Sequence, residues 1–115
     1  MAIERNHTTS RMSQCVVHGD TVYLAGQVAD DGDASAGDQT RQVLEKIDGL
    51  LAEVGSDKSK LLSVQIWLTD IRDFAAMNEA WDAWVPEGQA PARATGEVRL
   101  ARPEFRVEII VVAAK

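Results

Sequence analysis

A chain of 115 residues, 45% hydrophobic and 26% charged, has enough apolar material for one buried core and too little excess charge to stay disordered. Its net charge of −6 repels phosphate backbones, which sets nucleic acid aside as a partner, and a single cysteine, Cys15, excludes an internal disulfide framework. No apolar run reaches transmembrane length and the N-terminus lacks a signal-peptide layout, so no membrane association is expected and the cytoplasm is the default compartment.

Residues 2–9 are short and mixed and read as a strand or an arm. From Ser13, the runs Cys15-Val16-Val17 and Thr21-Val22-Tyr23-Leu24-Ala25 flank His18-Gly19-Asp20, which predicts a hairpin. Gly26-Gln27 ends the second run, and a glycine there marks a bulge or a close approach of backbone to another group. The stretch 29–38 is a surface loop by composition. Its aspartates lack the glycine and terminal glutamate of a calcium-binding hand, so a solvated loop is the better account and no metal is expected.

Asp38 has the chemistry of a helix N-cap, and Val43, Leu44, Ile47, Leu50, Leu51 and Val54 recur at the spacing of one buried helical stripe that Gly55 stops. Residues 61–69 alternate apolar and polar as a strand, with Trp67 the exception. A second helix is predicted from Asp73 to Trp84, with Phe74, Met77, Trp81 and Trp84 on one face and Pro86 and Gly88 breaking it. Two more strands follow, 91–98 and 106–112.

Each of these last strands places a charge among residues built for burial. Glu108 stands between Val107 and Ile109, and a buried carboxylate needs a partner or a task. Arg93 follows Pro91 and offers a planar, two-pronged clamp for a carboxylate. They are the candidate working end of a small-molecule site, with a buried structural ion pair as the alternative. Arg99, Arg102 and Arg106 read as solvated strand edges. Cys15 reads as a buried core thiol, and the three tryptophans as packing residues.

The order strand, strand, helix, strand, helix, strand, strand describes a single α+β domain over 1–115. Two helices cannot cover both faces of so apolar a sheet, so the uncovered face is expected to pack against other copies of the chain.

The elements Tyr23-Leu24-Ala25-Gly26-Gln27, Asp73-Phe74-Ala75-Ala76-Met77-Asn78, Ala90-Pro91-Ala92-Arg93 and Val107-Glu108-Ile109 resemble the RidA/YjgF family of reactive intermediate deaminases. The run from Asp73 to Val85 is most similar to its YoaB-like branch. The resemblance implies a chorismate-mutase-like β-β-α-β-α-β-β fold with two helices on one face of a mixed sheet, a homotrimer, and clefts at the subunit interfaces. It implies hydrolysis of enamines and imines such as 2-aminoacrylate to a 2-keto acid and ammonia, with neither a metal nor an organic cofactor. By residue it implies Arg93 as the carboxylate clamp, Glu108 as the group positioning water, and Gly26 and Asn78 lining the cleft. Thr95, where founding members carry cysteine, and Met12, where they carry tyrosine, are counted with them as substrate-binding positions, while Ala25 replaces a serine of those members. Other classes open to the same fold are a non-catalytic 2-keto acid binding protein and, against the acidic charge, a ribonuclease or chaperone.

Overall fold

The computed structural model describes all residues, 1–115. The chain forms strands β1 (Ile3–Thr8), β2 (Ser13–His18) and β3 (Thr21–Leu24), helix α1 (Ala36–Glu53), strand β4 (Leu61–Leu68), helix α2 (Phe74–Trp84) and strands β5 (Ala92–Glu97) and β6 (Val107–Ala114). One six-stranded sheet contains them all in the order β1-β2-β3-β6-β4-β5, with β4 and β5 parallel and every other neighbour antiparallel. The seven expected elements are present, and the N-terminal stretch is an eighth: a mostly exposed strand on the sheet edge beside β2.

Both helices lie on one face. Val107, Ile109, Val111 and Ala113 of β6 and Val64, Ile66 and Leu68 of β4 point toward them and are buried with Val43, Leu44, Ile47 and Leu51 of α1 and Met77 and Trp81 of α2. Each fully buried aliphatic side chain of this set contributes about 1.5–3 kcal/mol relative to exposure. The alternate residues of β6, Glu108, Ile110, Val112 and Ala114, occupy the other face. No helix covers it. Tyr23 is half exposed there, beside Val112, and Trp67 is partly buried.

Local chemistry explains most boundaries. Helix α1 is capped by Ser35, whose hydroxyl accepts from the Asp38 amide at 3.2 Å, so it begins two residues before the aspartate expected to cap it. Asp38 instead sits in the first turn, where its charge meets the positive end of the helix dipole. At the other end Gly55, at φ 78°, donates to the Ala52 carbonyl while Ser56 donates to that of Leu51, a left-handed stop that a Cβ would strain. Helix α2 starts at Phe74 after Asp73, close to expectation, but Phe74 is 42% exposed rather than buried on the stripe. It is the first residue of the helix, where its ring stays open to solvent.

Gln39 was not singled out by sequence. It is fully buried, its Nε2 donates to the carbonyls of Gly32, Ala34 and Glu104, and its Oε1 accepts from the Arg106 amide. One side chain thereby ties the loop before α1 to the segment joining β5 and β6. Arg99, Arg102 and Arg106 are exposed on that connecting segment, solvated as expected although outside the strands. No helix is long and apolar enough to cross a membrane.

Candidate functional site

Strand register decides where the two charged candidates point. Arg93 is the β5 partner of Val64, whose side chain is in the core, so it shares the helix-covered face. Its guanidinium carbon lies 5.4 Å from the ring centre of Trp81 and 6.0 Å from that of Phe74. These rings stand seven residues apart on α2, two helical turns, with Asn78 on the stripe between them. The cation is held against aromatic surface and makes no ion pair. Its N–H edges are left to meet an anion.

Thr95, two residues on, points to the same side. Its hydroxyl oxygen is buried and has no hydrogen-bond partner, an orphan of the kind a bound polar atom satisfies. Arg93, Thr95 and Asn78 therefore share one region between the sheet edge and α2.

Glu108 is on the opposite face. Its partner across β4 is Trp67, and on the β3 side its carboxylate lies against Gly26. A Cβ on Gly26 would stand 2.0 Å from Glu108 Oε2, so the glycine is what makes room for the acid. The backbone is bulged at this point: four residue steps from Tyr23 to Gln27 are matched by three from Val112 to Ile109. The expectation of a bulge and a close approach at Gly26 is met by one arrangement. Met12 lies in the turn between β1 and β2, 45% exposed.

Burial against this apolar surface raises the Glu108 pKa above its ordinary value, because desolvation disfavours the charged form. A carboxyl with a raised pKa is suited to trading a proton near neutrality. It also carries a stability consequence. The folded state holds this proton more tightly than the unfolded chain, so the penalty is absent below the unfolded value, about 4.3, and grows as pH rises through the folded one. Glu108→Gln is accordingly expected to be more stable than the parent at pH 7, with the difference closing by about pH 4. Urea denaturation at the two pH values measures it, and equal midpoints at pH 7 would rule out the desolvated acid.

Because Arg93 and Glu108 lie on opposite faces, the alternative of a buried ion pair between them is excluded. They are also offset along the sheet, since Glu108 is level with Trp67 and Gly96 while Arg93 is level with Val64, three residues back. One small molecule cannot touch both within a single chain, and neither residue lines any of its four concave clefts. What sequence reasoning missed here is the aromatic seat of Arg93. Its signal was the spacing of Phe74, Asn78 and Trp81.

Cys15 is buried in the core on β2, and burial raises its pKa, whereas His18 is exposed at the end of that strand. They form no nucleophile and base pair. Trp81 and Trp84 pack together with ring centres 5.4 Å apart, and the Trp84 indole donates to Asp48 at 3.0 Å.

The family model described as Endoribonuclease L-PSP matches residues 3–115. The RutC family protein YoaB of Escherichia coli is 46% identical over 99% of both chains, and a RutC family protein of Haemophilus influenzae is 44% identical over 98% of both. Among solved structures, a YjgF-family member from Neisseria meningitidis superposes with a TM-score of 0.97 at 49% identity, covering 100% of this chain and 96% of the other. An uncharacterised protein of Pseudomonas aeruginosa gives 0.97 at 51%, over 99% of both. Full-length matches at this level, with the strand order and helix placement described above, mean that the chain belongs to the RidA/YjgF family, in its YoaB-like branch.

Proposed function

We propose that the protein is a hydrolytic deaminase of 2-enamino and 2-imino acids such as 2-aminoacrylate, acting in clefts formed between copies of the chain in a homotrimer. The observation that carries this reading is the Arg93 guanidinium, held between two aromatic rings with no acidic partner, beside an orphaned hydroxyl. Such a cation is a ready receptor for a carboxylate. The bare sheet face, with Tyr23, Trp67, Ile110 and Val112, supplies the apolar surface that an assembly would bury. Assembly is also the route by which Glu108 of one copy can approach Arg93 of another.

The chemistry is short. Arg93 fixes the substrate carboxylate in a bidentate pair and so orients the adjoining carbon. The enamine accepts a proton at its terminal carbon to give the imine, and water attacks the imine carbon. Glu108 takes the proton released by that water and returns one to the nitrogen, which departs as ammonia and leaves the 2-keto acid. Thr95 and the backbone at Gly26 offer polar contacts to the amino group or the water. The endoribonuclease description of the family model fits this chain less well, because its net charge is −6 and its arginines make no continuous stripe.

The test is release of ammonia and 2-keto acid from 2-aminoacrylate generated in situ. The parent accelerates it, and Arg93→Lys raises KM by about tenfold or more, because a point charge cannot reproduce the planar clamp. Parent activity no greater than the uncatalysed rate would remove the deaminase reading. Pyruvate or 2-oxobutanoate binding that persists without turnover would then make the cleft a keto-acid binding site.

A further inference from the structure

A second cleft, of about 410 Å³, opens on the helix-covered side between the β1–β2 edge and α1, away from Arg93 and on the other face of the sheet from Glu108. Four features that packing does not explain converge on it. His7 has φ 54°, the only non-glycine residue with positive φ, and its Nε2 reaches Glu53 Oε2 at 2.7 Å. Strain of this kind at a non-glycine residue concentrates where a side chain must be aimed. Gly49 stands well inside the 18 residues of α1, where glycine weakens a helix, yet nothing lies within 4 Å of the place its Cβ would take. No neighbour demands a glycine there; the space it leaves belongs to the cleft.

The third feature is Gln27, which is 7% exposed. Its Nε2 donates to Gln14 Oε1 at 2.8 Å and to the Ala25 carbonyl at 3.1 Å, which fixes the amide orientation and leaves its Oε1 unbonded on the cleft wall. The fourth is the pair of opposite charges that bracket Gly49. Lys46, Gly49, Leu50 and Glu53 share one stripe of α1, so a cation and an anion flank the gap left by the missing side chain. Lys46 Nζ donates to the Val28 carbonyl and to Asp30, which uses two of its three protons. Glu53 keeps one oxygen free.

The vacant bonding positions are then a Lys46 N–H and the Gln14 amide as donors, and Gln27 Oε1 and Glu53 Oε1 as acceptors. We propose that this cleft binds a small zwitterion, a free α-amino acid, with its carboxylate toward Lys46 and Gln14 and its ammonium toward Glu53 and Gln27. Neither a simple anion nor a simple cation satisfies both sides. The site is independent of deamination.

The test follows backbone and side-chain amide resonances of the full chain during titration with L-alanine, and in parallel with acetate and with ethylammonium, which each carry half of the zwitterion. L-Alanine is expected to shift the Gly49 amide and the Gln14 and Gln27 side-chain amides saturably within the millimolar range, and the half-ligands are not. Gly49→Ala places a methyl in the gap while favouring the helix, so it should fold as the parent does and bind at least about tenfold more weakly. Glu53→Gln, at an exposed position, should do likewise. Absence of saturable shifts at those three positions, an equal response to acetate, or undiminished binding by Gly49→Ala would each overturn the assignment.

Discussion

Gly26→Ala is expected to lower deaminase activity by about a hundredfold or more while leaving the fold intact, because one methyl group evicts the Glu108 carboxylate. The added Cβ would stand 2.0 Å from Oε2 and 2.9 Å from the carboxyl carbon, distances that no real contact tolerates. The atoms in conflict are the far end of a flexible side chain rather than backbone, so the side chain can swing away. Gly26 does not have a positive φ, so alanine adds no backbone strain there. Stability is thus expected to stay close to that of the parent.

The diagnostic is a double-mutant cycle in kcat/KM. If Gly26 acts only by seating the acid, Gly26→Ala in a Glu108→Ala background costs nothing further, since the group it displaces is already gone. Two losses that multiply would mean that the Gly26 backbone has its own part in the reaction. Full activity in the single Gly26→Ala variant would show that the observed position of Glu108 is not the working one.

Much of the architecture was legible because local signals agreed with one another. The apolar stripe from Val43 to Val54 stopped at a glycine that proves to be left-handed, and the Gly19-Asp20 turn joins strands whose register pairs His18 with Thr21. The misread cap has a simple cause. Ser35 and Asp38 are both capping residues three apart, and the serine hydroxyl bonds the aspartate's own amide. β1 carried almost no periodicity because it is an edge strand with little burial on either side. Gln39 could not be found from sequence, since its partners at Glu104 and Arg106 are more than sixty residues away.

The site was half legible. Arg93 and Glu108 stand out within their own strands, but that they face opposite ways depends on β5 joining the far side of β4 in parallel, a matter of tertiary topology. Phe74 fits the buried stripe by spacing alone, yet its place at the helix entrance leaves it open beside the arginine.

Mixing two inactive variants is expected to restore activity. If each cleft takes its arginine from one copy and its glutamate from the next, Arg93→Ala and Glu108→Ala homo-oligomers each contain only broken clefts. Co-refolded in equal amounts, they form mixed rings in which an intact Arg93 from a Glu108→Ala chain can meet an intact Glu108 from an Arg93→Ala chain. Random head-to-tail assembly makes about one quarter of the clefts complete, so the mixture should recover about a quarter of parental kcat from two preparations that have almost none. KM at those clefts should equal the parental value, because each is chemically whole. A mixture no more active than its components would place both residues' work within one chain, contrary to the opposite faces they occupy here, or would remove one of them from the reaction. Val112→Asp separates these outcomes, for a buried unpaired charge on the bare face opposes assembly while Arg93 and Glu108 remain in place. A monomeric Val112→Asp protein that retains turnover would sink the shared cleft, and one that is folded, monomeric and inactive would leave assembly as the step that brings the clamp and the acid together.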